Sequence, residues 1–153
     1  KRSKRWAIVV LPTNTLPNDR NLNNVLKAAV DLEEVGKIEA ANQTYQTITK
    51  RWPESLVAIM GAANTHLILG NSEDATNFYL RARALEPQRA DIYNNLAYSL
   101  LLQSCYQSAL HSIQCAISLD AKNPEFLDSQ KEISQSANKT SIKSCPYISC
   151  GIP

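Results

Sequence analysis

Two histidines, one methionine and four glycines in 153 residues leave little material for the common catalytic and phosphate-binding motifs. No Gly-rich phosphate loop, nucleophile elbow or paired-carboxylate arrangement occurs, so the sequence supplies no catalytic residue and calls for no cofactor. His66 and His111 stand far apart, and neither has a Cys or carboxylate at the spacing of a helical zinc pair, so no metal site is expected. His66 reads as a core histidine, His111 as an exposed one. Long apolar runs are also missing. The longest, such as Leu96 to Leu102, fall far short of the ~18 residues a helical membrane span needs. Nor is there a basic stripe. Residues 1–20 carry five basic side chains and one acidic, residues 21–137 nine and thirteen, and residues 138–153 two and none. Net positive charge is confined to the ends, which argues against nucleic acid as a partner.

What the chain does have is punctuation that recurs. Pro87 follows one helix-like run, and Asn94-Asn95-Leu96-Ala97-Tyr98 opens another at once. Proline lacks the N–H a helix would use and forces the preceding residue out of the α region. Shifted by 34 residues, the chain pairs Pro53 with Pro87, Gly36 with Gly70, Ala29 with Ala63 and Ala97, and Ala41 with Ala75 and Ala109. It also aligns Tyr45, Tyr79 and Ile113. A fixed period of this size marks a solenoid whose units must stack to bury their apolar faces. Stop and start signals predict helices over about 21–35, 38–51, 55–69, 72–85, 89–103, 106–119 and 124–137. Asn71 and Ser72 are expected to cap the fourth helix, and Asn123 to cap one that starts at Pro124. Trp6-Ala7-Ile8-Val9-Val10-Leu11, closed by Pro12, reads as a β-favouring strand within a basic strand-and-linker segment, 1–20. Opening on Lys1 without an initiator Met, the chain reads as an excised piece or a processed form.

These residues carry a resemblance. A bulky residue, a small pair three and four later, an apolar residue, an Ala, an aromatic and a closing Pro resemble the tetratricopeptide repeat (TPR). The matching residues in the first unit are Val25, Ala28, Ala29, Leu32, Ala41, Tyr45 and Pro53. The second unit matches with Ile59, Ala62, Ala63, His66, Ala75, Tyr79 and Pro87, and the third with Tyr93, Leu96, Ala97, Leu100, Ala109 and Ile113. The resemblance covers about 22–121 and implies an all-α, right-handed solenoid of three helix pairs (22–55, 56–89, 90–123). A capping helix at 124–137 and an extended tail at 138–153 complete it. Ser104 stands where the turn Gly is expected and Pro124 three residues late, which predicts a longer exit loop from the third unit.

With packing positions assigned, positions two, five, nine and twelve of each first helix are left to line a concave groove. They are Asn23, Leu26, Val30 and Glu33, then Val57, Met60, Asn64 and Leu67, then Asp91, Asn94, Tyr98 and Leu101. TPR grooves that clamp a terminal carboxylate use basic residues on this stripe, and here there are none. The expected ligand is a peptide or partner helix held by apolar anchors, with Asn64 and Asn94 bonding its backbone. The alternative is that the chain's own N-terminal segment or tail fills the groove.

A second resemblance concerns context: the run from Trp6 to Pro17 leading into a helix pair looks like the junction in bacterial papain-like cysteine peptidases related to leader-removing domains. It implies a positioning or regulatory role for a catalytic domain upstream in the same polypeptide. A structural oligomerisation module is the third reading. Of the four cysteines, Cys105 and Cys115 are expected as buried free thiols, while Cys145 and Cys150 can close a small disulfide loop. That bridge would favour an extracytoplasmic, oxidising compartment.

Overall fold

The computed structural model of the chain describes residues 20–136, 138–141 and 144–151. The strand expected at Trp6 to Leu11 lies outside them. Seven helices run in sequence: α1 (Arg20–Glu34), α2 (Ile38–Arg51), α3 (Leu56–Ile68), α4 (Ser72–Leu85), α5 (Ala90–Leu102), α6 (Tyr106–Leu119) and α7 (Pro124–Ser134). Each packs chiefly on its neighbour in sequence, and α7 also reaches back to α5. That is a solenoid of three pairs, α1/α2, α3/α4 and α5/α6, closed by α7.

The turns explain the phase. Gly36, Gly70 and Ser104 have φ of 84°, 85° and 63°. At each, the chain closes the first helix with the same two bonds. Gly36 N and Lys37 N donate to the carbonyls of Glu33 and Leu32 (3.0 and 2.9 Å), and Gly70 and Asn71, then Ser104 and Cys105, repeat the pattern. The left-handed residue is what lets both amides reach back, and Ser104 adopts it without being glycine. Asn123 caps α7 by accepting from Glu125 N at 2.9 Å, with Pro124 in the first turn. Asn71 makes no such bond to α4; its Nδ2 turns back to His66 Nδ1 at 3.3 Å. The loop after the third pair is not longer. Residues 52–55, 86–89 and 120–123 are equal connections, because Pro124 belongs to the first turn of α7 rather than to the loop.

Small residues set the helix spacing. Ala29, Ala63, Ala97, Ala41, Ala75 and Ala109 are all fully buried, which brings paired helices together backbone to backbone. Tyr45 and Tyr79 fill the gaps beside them, and Ile113 takes the same place in the third pair. Gly61 completes the fit: a Cβ there would meet the Tyr45 ring at 2.4 Å. Polar bonds repeat with the period too. Asn42 Nδ2 donates across the α2–α3 seam to Thr65 Oγ1 (2.9 Å), and thirty-four residues on Thr76 Oγ1 donates to Ser99 Oγ (2.8 Å). Two predicted packing residues of the first unit, Val25 and Ala28, are instead exposed. Their face points where a preceding unit would stand, and none of the described residues stands there.

Candidate functional site

Both ends of the cysteine pattern fall otherwise than expected. The bridges are Cys105–Cys145 and Cys115–Cys150, with Cα separations of 5.6 and 5.0 Å. Neither the Cys145–Cys150 loop nor the two free thiols exist. Cys105 and Cys115 stand ten positions apart along the helix, a rise of ~15 Å. Cys145 and Cys150 stand five positions apart along extended chain, a rise of ~16 Å. The two spans match, so the tail lies along α6 fixed at both ends, whereas a 145–150 bridge would need the tail to fold back on itself. Between the bridges Ile148 is buried, and Ser108 Oγ donates to Pro146 O at 2.6 Å. Beyond them Gly151 N donates to Tyr93 Oη (2.8 Å), which itself donates to Pro87 O (2.7 Å).

None of the twelve residues expected on the first-helix stripe is fully open to solvent. Leu26, Met60, Asn64, Leu67, Asn94 and Tyr98 are buried; Met60 is 1% and Asn94 0% exposed. Asn23, Val30, Glu33, Val57, Asp91 and Leu101 are partly buried. Asn64 and Asn94 do not simply face a ligand. Asn64 Oδ1 accepts from the Tyr79 hydroxyl and from Asn95 Nδ2 (3.1 Å), and Asn94 Nδ2 donates to Asn95 Oδ1 (3.0 Å). This buried amide ladder joins α3, α4 and α5. Burial pushes the Tyr79 hydroxyl well above its ordinary pKa, so it stays a donor. In the first unit the Tyr45 hydroxyl donates to Glu33 Oε1 at 2.9 Å. Burial raises the Glu33 pKa, partly offset by that bond. At the far end Tyr98 Oη donates towards Ser129 Oγ (3.0 Å) and Glu132 Oε1 (3.1 Å) of α7. Asp91 pairs with Arg89 at 3.2 Å. No Lys or Arg sits on the stripe.

His66 is buried, stacked on Phe78 with centroids 5.6 Å apart, and burial lowers its pKa. His111 is exposed, with its ring edge-on to Tyr147. Among the described residues no group of His, Cys, Asp and Glu could hold a metal ion, and no helix is long and apolar enough to cross a membrane. Sequence reasoning missed the amide ladder's Asn95 and the close approach at Gly61. Asn95 carried a signal, since an Asn pair inside an apolar run implies partners that satisfy it.

No protein-family model and no curated protein matches the sequence. Solved structures do. The first TPR of Spaghetti (RPAP3), bound to the HSP90 peptide SRMEEVD, is 17% identical, with a TM-score of 0.73 over 78% of this chain and 94% of that one. The Sgt2 TPR domain from Aspergillus fumigatus is 11% identical, with a TM-score of 0.70 over 94% and 93%. The type III secretion translocator chaperone SycD from Yersinia enterocolitica is 18% identical, with a TM-score of 0.67 over 78% and 91%. Identities this low speak for architecture alone, and the architecture agrees with the residues that carry the repeat: the chain has the tetratricopeptide-repeat fold, three helix pairs and a closing helix.

Proposed function

We propose that this chain is a protein-interaction module whose concave channel holds an extended apolar segment. The observation that carries the reading is the make-up of the stripe: its half-buried members include Val30, Val57 and Leu101, and no basic side chain stands among them. A terminal carboxylate would find no cation there. Apolar anchors spaced along the stripe suit the alternating side chains of an extended peptide. A panel of six-residue apolar peptides, with free and with amidated C-termini, tests this by calorimetric titration. Binding should be indifferent to amidation, and the acidic peptide SRMEEVD should not bind. Tight binding of SRMEEVD that is lost on amidation would overturn the reading.

A second reading, a positioning module for a domain earlier in the same polypeptide, is favoured by one separate feature. A pocket of about 320 Å³ opens on the outer edge of the first pair between Val25, Thr44, Ile48 and Trp52, beside the exposed Val25. A preceding unit or domain would cover it. The two bridges support an oxidising, extracytoplasmic compartment for either reading.

A further inference from the structure

Eight large apolar side chains are exposed among the described residues, and four of them, Val35, Ile68, Leu69 and Leu102, share one place in the fold. Val35 and Leu69 are repeat-equivalent, as are Ile68 and Leu102, and each stands one or two residues before the left-handed residue that closes a first helix. Because the pairs stack in phase, these turns line one edge of the solenoid. The turn itself does not call for them. It is closed by the amides of the left-handed residue and the next one, bonded to carbonyls of the preceding turn. Scattered exposed aliphatic side chains mean little, but a row repeated along one edge marks a surface that meets a partner.

We propose that this edge docks a basic amphipathic helix of a partner protein. Charge chooses among the occupants of an apolar edge. Glu34, Glu39, Glu73 and Asp74 are exposed around the first two turns against Lys37 alone, and residues 101–107 carry no charge. Anionic headgroups would be repelled, and a second copy would bring the same carboxylates. A partner with flanking Lys or Arg is attracted. Glu39, Glu73 and Asp74 lie in the first turns of α2 and α4, where the helix dipole favours them. Glu34 ends α1, where the dipole does not, and α1 has no basic residue in its last turn. A carboxylate held against local preference serves something outside its own helix. Spacing chooses the form of the partner. Turns of stacked units recur at roughly 10 Å, as packed helices do, and one face of a helix repeats every seven residues, ~10.5 Å. Side chains on one face of a strand recur at ~6.7 Å and fall out of step. The edge is separate from the concave channel and goes beyond the reading of that channel as a peptide site.

The probes are a synthetic fifteen-residue helix with a leucine face flanked by lysines, and its twin with glutamate in place of every lysine, titrated against the intact, oxidised chain. The lysine helix should bind at least about tenfold more tightly than the twin and should protect residues 33–39 and 67–74 from hydrogen exchange. Val35→Ser with Ile68→Ser and Leu69→Ser, all at exposed positions, should weaken it about tenfold or more with helix content unchanged. Should that variant lose its helices, Glu34→Lys takes its place, and should weaken the lysine helix while strengthening the twin. Equal binding of the two helices, binding that the variant leaves undiminished, or protection confined to other residues overturns the proposal. Binding to phosphatidylserine vesicles that the triple variant loses overturns it in favour of a lipid surface, and self-association lost in the same way overturns it in favour of a second copy. Competition by the six-residue apolar peptides overturns it too, by assigning the helix to the channel, whose reading then survives. If those peptides fail to bind while the lysine helix docks on the edge, the channel reading falls and this one stands.

Discussion

Of the four glycines, Gly61 is the one whose surroundings leave least room for a side chain. A single methyl added to α3 would lie 2.4 Å from the Tyr45 ring, which is itself buried and held by its bond to Glu33. The ring cannot move without giving up that contact. Gly61→Ala should therefore destabilise the fold by about 1–3 kcal/mol, although alanine is the better helix former. Urea unfolding measures it, and a stabilised variant would show that the ring has room to shift. His66 makes a second test. Burial depresses its folded pKa below the unfolded value near 6.5, so the folded state binds fewer protons than the unfolded one in that range. Stability is then fully present above about pH 6.5 and is lost as pH falls from there towards the folded pKa. The opposing group is Glu33, whose raised pKa acts in the other sense from about pH 4.5 upwards. Comparing unfolding of wild type and His66→Phe between pH 7 and 5 isolates the histidine, and parallel curves would remove it as a titrating group.

At the scale of the element, the tail is a strap rather than a loose end. Two covalent points on α6, the buried Ile148, and bonds from Arg83 Nη1 to Ser149 O (3.3 Å) and Gln88 Nε2 to Gly151 O (2.9 Å) fasten it across the third pair. Bridges that close loops of 40 and 35 residues each contribute on the order of 2–4 kcal/mol, and both act on the α5–α6 end. Cys145→Ser with Cys150→Ser should lower protection against hydrogen exchange in α5 and α6 while α1 and α2 stay as they were, since repeat stability is transmitted between neighbours only. A uniform loss along the chain would contradict that. The helices were readable because their ends are written locally: Gly36, Gly70, Pro53 and Pro87 stop them whatever surrounds them. The cysteine pairing was not, because spacing in sequence says nothing of which helix face an extended tail will follow. Burial of the stripe was hidden for the same reason. Periodicity places Met60 and Asn94 on one face, but not what covers that face, and only the structure shows Asn64 committed to Tyr79 and Asn95 rather than to a ligand.

Across the whole molecule the two ends are built differently. The third pair is covered by α7, through Phe126, Ser129 and Ile133, and is bound by the strap. Among the described residues the first pair has only its inner neighbour: Val25 is 37% and Val35 70% exposed, and the substantial contacts of α1 with another helix are those with α2. Since the stability of a solenoid is close to a sum of unit and interface terms, the end with fewer interfaces should open first. Hydrogen exchange of the intact, oxidised chain should show α1 and α2 opening at least about tenfold more often than α5 and α6. Leu26→Ala sharpens the comparison. It removes a fully buried side chain from the core that α1 forms with Ala41, Tyr45, Ile48 and Ala62, at a cost of about 2–5 kcal/mol. That loss should appear in α1 and α2 and fade towards α6, leaving the strapped end near its wild-type protection. Equal losses at both ends would mean that the three pairs open as one unit, and the Val25–Trp52 edge would then have to be as firmly held as the bridged end.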